Sequence, residues 1–147
     1  MNNLRELYQQ LILDHNQNPR NFHKLENASH HAHGDNPLCG DEIDIDLLLE
    51  GDIIKDVAFV GSGCAISKAS ASIMTTLLKD KTRTEALKIL ENFHHLATTG
   101  ERPEGSMGKL EALADVYKYP VRVKCAMLAW RTLEAGLGKQ SDTVSTE

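Results

Sequence analysis

Cysteine is scarce in this chain, with three in 147 residues, and the number is odd. A chain of this length can bury enough apolar surface to fold without disulfide staples. Three thiols also cannot pair off completely, which argues against a disulfide-built scaffold and for free thiols or metal ligands. Long apolar runs are missing as well: nothing approaches the roughly 20 residues a bilayer span needs. The first ten residues, MNNLRELYQQ, lack a signal- or transit-peptide pattern, so the expected location is the cytoplasm. Basic residues are outnumbered, 16 against 21 acidic, for a formal net charge of -5. Phosphate-binding surfaces usually need the opposite balance, so neither nucleic acid nor a membrane is the expected partner. Internal repeats and low-complexity segments are lacking, and Gly61 and Gly63 do not have the spacing or the lysine of a phosphate-binding loop.

What is present is a succession of periodic segments. Leu4, Leu7, Tyr8, Leu11 and Ile12 recur at helical spacing and predict a helix over 3–15, ending before NQNPRN. The polar stretch LENASHHAHGDNP fits either a short strand or a loop. From Glu42 the period drops to two: Ile43, Ile45 and Leu47 alternate with Asp44 and Asp46, predicting a strand with one wet face. Glu50, Gly51 and Asp52 supply a turn, and IIKDVAFV a second strand of an antiparallel hairpin. A helix follows GSGC, and Thr82 with Glu85 forms a capping box for another. Thr98 to Gly108 is expected to be a loop, with a short helix after it. Pro120 suits the first turn of a last helix, to about Leu137. The expected fold is α+β, a small antiparallel sheet of about three strands covered on one face by helices. Residues 1–138 form the expected single domain and 139–147 a flexible tail.

The chemistry concentrates on four residues. Cys39 lies in NPLCGD, between Pro37 and Gly40, in a turn-rich stretch where a packing role is a poor explanation. Cys64 is flanked by Gly61, Gly63 and Ala65 near a helix start, where unpaired amides and the helix dipole favour a thiolate. Cys125 shares a helical face with Val121, Leu128 and Thr132 and, taken alone, reads as core. Arg122 and Lys124 stand nearby in sequence and would offset negative charge if they folded back over the site. If all three thiols meet, they and the Asp41 carboxylate make four anionic donors, suited in number and type to tetrahedral zinc. Gly40 allows the bend that turns residues 39 and 41 toward one point. The separations between the cysteines are far longer than those of zinc fingers, so such a site has to be assembled by tertiary structure.

The stretches DHNQNPRNF (14–22), NPLCGDEI (36–43), GSGCAISKASASIM (61–74) and RVKCAMLAW (122–130) together resemble the U-type iron–sulfur cluster assembly proteins, specifically the SufU-like branch. The resemblance implies a SufE/NifU-like, IscU-like fold and a metal site at Cys39, Asp41, Cys64 and Cys125. In the IscU-like branch a histidine directly precedes the third cysteine; here that position is Lys124, as in the SufU-like branch. That branch implies zinc as the metal and persulfide sulfur accepted from a cysteine desulfurase, with Cys39 as the acceptor and Gly40, Arg122 and Lys124 in support. The chain would then be a sulfurtransferase-like partner of the desulfurase. The alternative is a scaffold that builds a [2Fe–2S] cluster at the same four residues and delivers it to apoproteins. A hydrolase or other independent thiol enzyme lacks a convincing base.

Other polar signals have ordinary readings. The HHAH run at 30–33, with His23, is expected to be solvated or hydrogen-bonded in a polar loop. His94 and His95 sit at an expected helix end, and Asp44 and Asp46 on the wet face of a strand. Trp130 reads as core or partner-facing filling. The run Ala69 to Ser72 is expected to serve close helix packing, with no distinct chemical role.

Overall fold

The computed structural model describes residues 3–103, 105, 107–138 and 143–145. Helix α1, Asn3–Gln17, runs two residues past its expected end. Three strands follow: β1 (His30–Asn36), β2 (Asp41–Glu50) and β3 (Ile53–Ser62), paired as an antiparallel meander. The ambiguous polar segment is therefore strand where it carries the histidines. Its alternation was hidden because Ala32, Gly34 and Asn36, the residues facing inward, are small or polar. Helices α2 (Ala65–Leu78), α3 (Arg83–Thr99) and α4 (Pro120–Leu137) come next, with the 3-10 segment Gly108–Lys118 between α3 and α4. Thr82 and Glu85 form the expected capping box, and Pro120 opens α4.

Thr143–Ser145 form a short strand, β4, parallel to His33–Asp35, giving the order β3-β2-β1-β4. Within the expected tail, 143–145 thus lie along β1, whose open edge offers backbone groups that a further strand can satisfy. Residues 139–142 and 146–147 of that tail lie outside the described residues.

The helices cover one face of the sheet. Ile43, Ile45 and Leu47 of β2 and Val57 and Phe59 of β3 are buried on it, among Ile73, Met74, Phe93, Leu128 and Trp130. Two consequences position the site. Leu128 and Thr132 of α4 lie directly on β1 at Gly34, so Cys125, one turn earlier on the same face, arrives at the end of that strand. The motif DHNQNPRNF clamps α1 onto α2: the buried His15 Nδ1 is 2.6 Å from Ser72 Oγ, which also accepts the Arg20 backbone N–H at 2.8 Å. Asn21 reaches Thr75 at 3.0 Å. Ser70 accepts from the Trp130 indole at 3.2 Å and donates to the Ala126 carbonyl at 2.7 Å. The small residues of α2 are thus polar ties between helices, a role their size alone did not announce.

Candidate metal centre

Cys39 sits in a tight turn joining β1 to β2. Its N–H and that of Gly40 both donate to the Asn36 carbonyl, at 3.2 and 2.9 Å, and Gly40 takes φ +72°, a conformation that glycine adopts without strain. The turn leaves Cys39 exposed while directing Asp41, the first residue of β2, inward and fully buried. Cys64 is the N-cap of α2, its sulfur accepting the Ser67 N–H at 3.4 Å. The Cys64 backbone N–H donates to Asp41 Oδ1 at 2.9 Å, which fixes the carboxylate. Gly63 permits that approach, because a Cβ on it would stand 2.5 Å from Asp41 Oδ1.

Donor atoms of Cys39, Asp41 and Cys125 all lie within 4.8 Å of one another. The Cys125 thiol donates to Cys39 Sγ at 3.4 Å, and Cys64 Sγ stands 4.0 Å from Asp41 Oδ2. Cys64 therefore flanks this group of three at its carboxylate side. Two thiolates on one tetrahedral zinc are about 3.8 Å apart and a thiolate and a carboxylate oxygen slightly closer, from bond lengths of about 2.3 and 2.0–2.2 Å. The observed separations fall near these edges, and the donor set matches zinc in charge and softness. Burial pushes the Cys125 thiol well above the usual cysteine range, and its contacts with Asp41, Cys39 and Cys64 push it further. Protein alone thus keeps a proton there, which an entering divalent ion must displace.

The same helix carries Arg122 and Lys124, expected from the sequence to support the site. Arg122 lies 4.5 Å over the ring of Tyr119, and Lys124 is half-buried next to Cys125. Asn36 is a neighbour of the site that the sequence reading passed over: fully buried, it donates from Nδ2 to Cys125 Sγ at 3.6 Å, while its Oδ1 has no partner among the described residues. The signal was its place in NPLCGD, opposite Asp41 in the strand register. A cleft of about 450 Å³ between α1 and the 3-10 segment, bordered by Tyr8, Ile66, Glu111 and Arg122, contains none of the four candidate ligands. Of the three thiols, that of Cys39 is exposed.

The model of the NifU-like N-terminal domain matches residues 7–142. The chain belongs to the NifU-like N-terminal domain family. A zinc-dependent sulfurtransferase SufU of Bacillus subtilis (strain 168) is 44% identical over 139 residues, covering 94% of this chain and 94% of that protein. An iron–sulfur cluster assembly scaffold protein IscU of Streptococcus pyogenes serotype M1 is 34% identical over 143 residues, 97% of this chain and 89% of that one. The crystal structure of a protein from Fervidobacterium islandicum AW-1, described as an iron–sulfur cluster assembly scaffold for the SUF system, superposes with a TM-score of 0.84. It is 39% identical, covering 91% of this chain and 98% of that one. The family fold is the expected α+β sandwich, with β4 added at its edge. Among the described residues no helix is long and apolar enough to cross a membrane.

Proposed function

We propose that this member of the family accepts sulfur from the persulfide of a cysteine desulfurase at Cys39, with zinc held by Cys39, Asp41, Cys64 and Cys125. The observation that carries the reading is the asymmetry of the thiols: Cys39 is exposed on a glycine-hinged turn, while Cys125, 3.4 Å away, is buried in a helix. When bound, zinc offsets the negative charge of the donors and holds the sulfurs as thiolates. The Cys39 thiolate attacks the outer sulfur of the incoming persulfide. A new S–S bond forms at Cys39, the desulfurase S–S bond breaks, and the electron pair leaves on the desulfurase thiolate, so no external oxidant or reductant is needed. Asp41, pinned by the Cys64 N–H, keeps its donor oxygen in place while the turn moves. Lys124 before Cys125, where the scaffold branch carries histidine, supports transfer over scaffolding.

Replacing Cys39 with serine is expected to abolish sulfur loading in a desulfurase assay while leaving the far-UV circular dichroism unchanged. A fully active Cys39→Ser protein rejects the assignment. The scaffold alternative draws support from the relatives described as cluster assembly scaffolds. It predicts a coloured cluster that passes to an acceptor apoprotein, whereas transfer predicts tightly bound zinc and strong stimulation of cysteine turnover.

A further inference from the structure

The three cysteine sulfurs differ in what donates to them. Cys64 Sγ accepts the Ser67 N–H at 3.4 Å, and Cys125 Sγ accepts from Asn36 Nδ2 at 3.6 Å, a length suited to sulfur, which is larger than oxygen. Among the described residues Cys39 Sγ accepts only from the Cys125 thiol, at 3.4 Å, and that donor is gone once both sulfurs bind an ion as thiolates. Two of the three sulfurs then keep an N–H donor, and Cys39 has none. Asn36 is tied to both sides of this difference. Its backbone carbonyl accepts the N–H groups of Cys39 and Gly40, at 3.2 and 2.9 Å, and so closes the turn, while its side chain reaches Cys125 on α4. The residue is fully buried and its Oδ1 has no partner among the described residues, so an apolar side chain of similar size would be less costly to bury. What the amide supplies there, and leucine would not, is the N–H donor.

We propose that Asn36 is a positioning residue that keeps Cys125 as the stationary ligand, so that Cys39 is the thiolate that comes away to take sulfur. The inference rests on the zinc site of the proposed function and names what makes two neighbouring sulfurs in it unequal. A hydrogen bond to a metal-bound thiolate is charge-assisted; it draws electron density from the sulfur and lowers its reactivity toward a persulfide. Cys125, held in this way and buried in a helix, stays. Cys39, on an exposed turn without such a donor, keeps its full nucleophilicity. Ser67 does for Cys64, from the backbone of α2, what Asn36 does for Cys125. Rotation of the exposed Cys39 side chain about its own Cα–Cβ bond breaks neither the turn, which is closed on the Asn36 carbonyl, nor the amide contact with Cys125. The competing account is that the Asn36 side chain only fills the end of β1, and it predicts no change in the electronic state of the sulfurs.

The test uses the full-length protein, with Co²⁺ in place of zinc to report the thiolates through their charge-transfer band. Asn36→Leu is expected to move that band to longer wavelength, because a sulfur without its N–H donor releases electron density more readily, and to weaken zinc binding by about tenfold or more. The far-UV circular dichroism of the metal-free variant is expected to match wild type. Zinc-loaded protein treated with iodoacetamide and read by mass spectrometry is expected to be alkylated at Cys39 in wild type and at Cys125 as well in Asn36→Leu. Asn36→Asp, which keeps the shape but exchanges the donor for an acceptor, is expected to weaken zinc binding further. Wild-type protein carrying isotopically labelled asparagine needs no substitution: one buried side-chain amide is expected to shift downfield in its NMR spectrum when zinc is added. An unmoved cobalt band with unchanged zinc affinity in Asn36→Leu overturns the proposal, and so does an Asn36 amide that does not respond to zinc in wild type. Cys125→Ser separates the two readings. If it leaves the cobalt band unchanged, the zinc site and the proposal fall together; if it alters the band and Asn36→Leu does not, only the proposal falls.

Discussion

A methyl group on Gly63 would stand 2.5 Å from Asp41 Oδ1, closer than any carbon and oxygen rest, so the carboxylate would have to give way. Gly63→Ala is therefore expected to weaken zinc binding by about tenfold or more with little change in secondary structure, measured by competition with a chromophoric chelator. Asp41→Ala is expected to lower both zinc content and transfer rate; wild-type values for both would remove Asp41 from the site. The need for a cysteine and a carboxylate on a glycine bend was legible in NPLCGD. The contribution of Asn36 was not, because an asparagine before proline reads as turn chemistry until its amide is seen beside Cys125.

Within single elements, Thr82 and Glu85 satisfy each other's backbone donors at the start of α3, at 3.1 and 2.9 Å. Thr82→Ala is expected to cost about 1 kcal/mol in urea unfolding and leave metal binding untouched, since α3 contributes no ligand. The clamp between α1 and α2 gives a pH dependence. Burial, with Arg20 and Lys109 adding to it, lowers the His15 pKa from 6.5 to about 4. The unfolded chain therefore takes up this proton at a higher pH than the folded one, and stability present above pH 6.5 is lost as the pH falls toward 4, by roughly 3 kcal/mol at most. Thermal melts over that range are expected to show a decline that His15→Gln flattens; an equal slope in both proteins would place the effect elsewhere. Helix and strand periods, the capping box and Pro120 announced most of these elements. Strand β1 did not announce itself, because Ala32, Gly34 and Asn36 carry too little apolar surface to mark an inner face.

On the scale of the whole molecule, the four candidate ligands come from the β1–β2 turn and the start of β2, the N-cap of α2, and α4, so a bound ion ties the sheet to two helices. An ion that binds only the folded form at a hundredfold excess over its Kd stabilises by about 2.7 kcal/mol. Chelation is accordingly expected to lower Tm and added zinc to restore it, and Cys125→Ser to abolish that response. The sequence by itself determined the α+β class, the order of helices and the hairpin, because hydrophobic period and turn chemistry are local properties. It also marked Cys39, Asp41 and Cys64, set among glycines where packing is a poor explanation, whereas Cys125, which alone reads as core, was marked by the family resemblance. Only the tertiary structure decided which donors meet. Cys125 reaches Cys39 because α4 crosses β1 at Gly34, and Cys64 keeps to the carboxylate side because its own backbone holds Asp41. The facing of His31 and His33 by Asp46 and Asp44 likewise waited on strand register, which pairs residues distant in sequence through hydrogen bonds that no local pattern encodes.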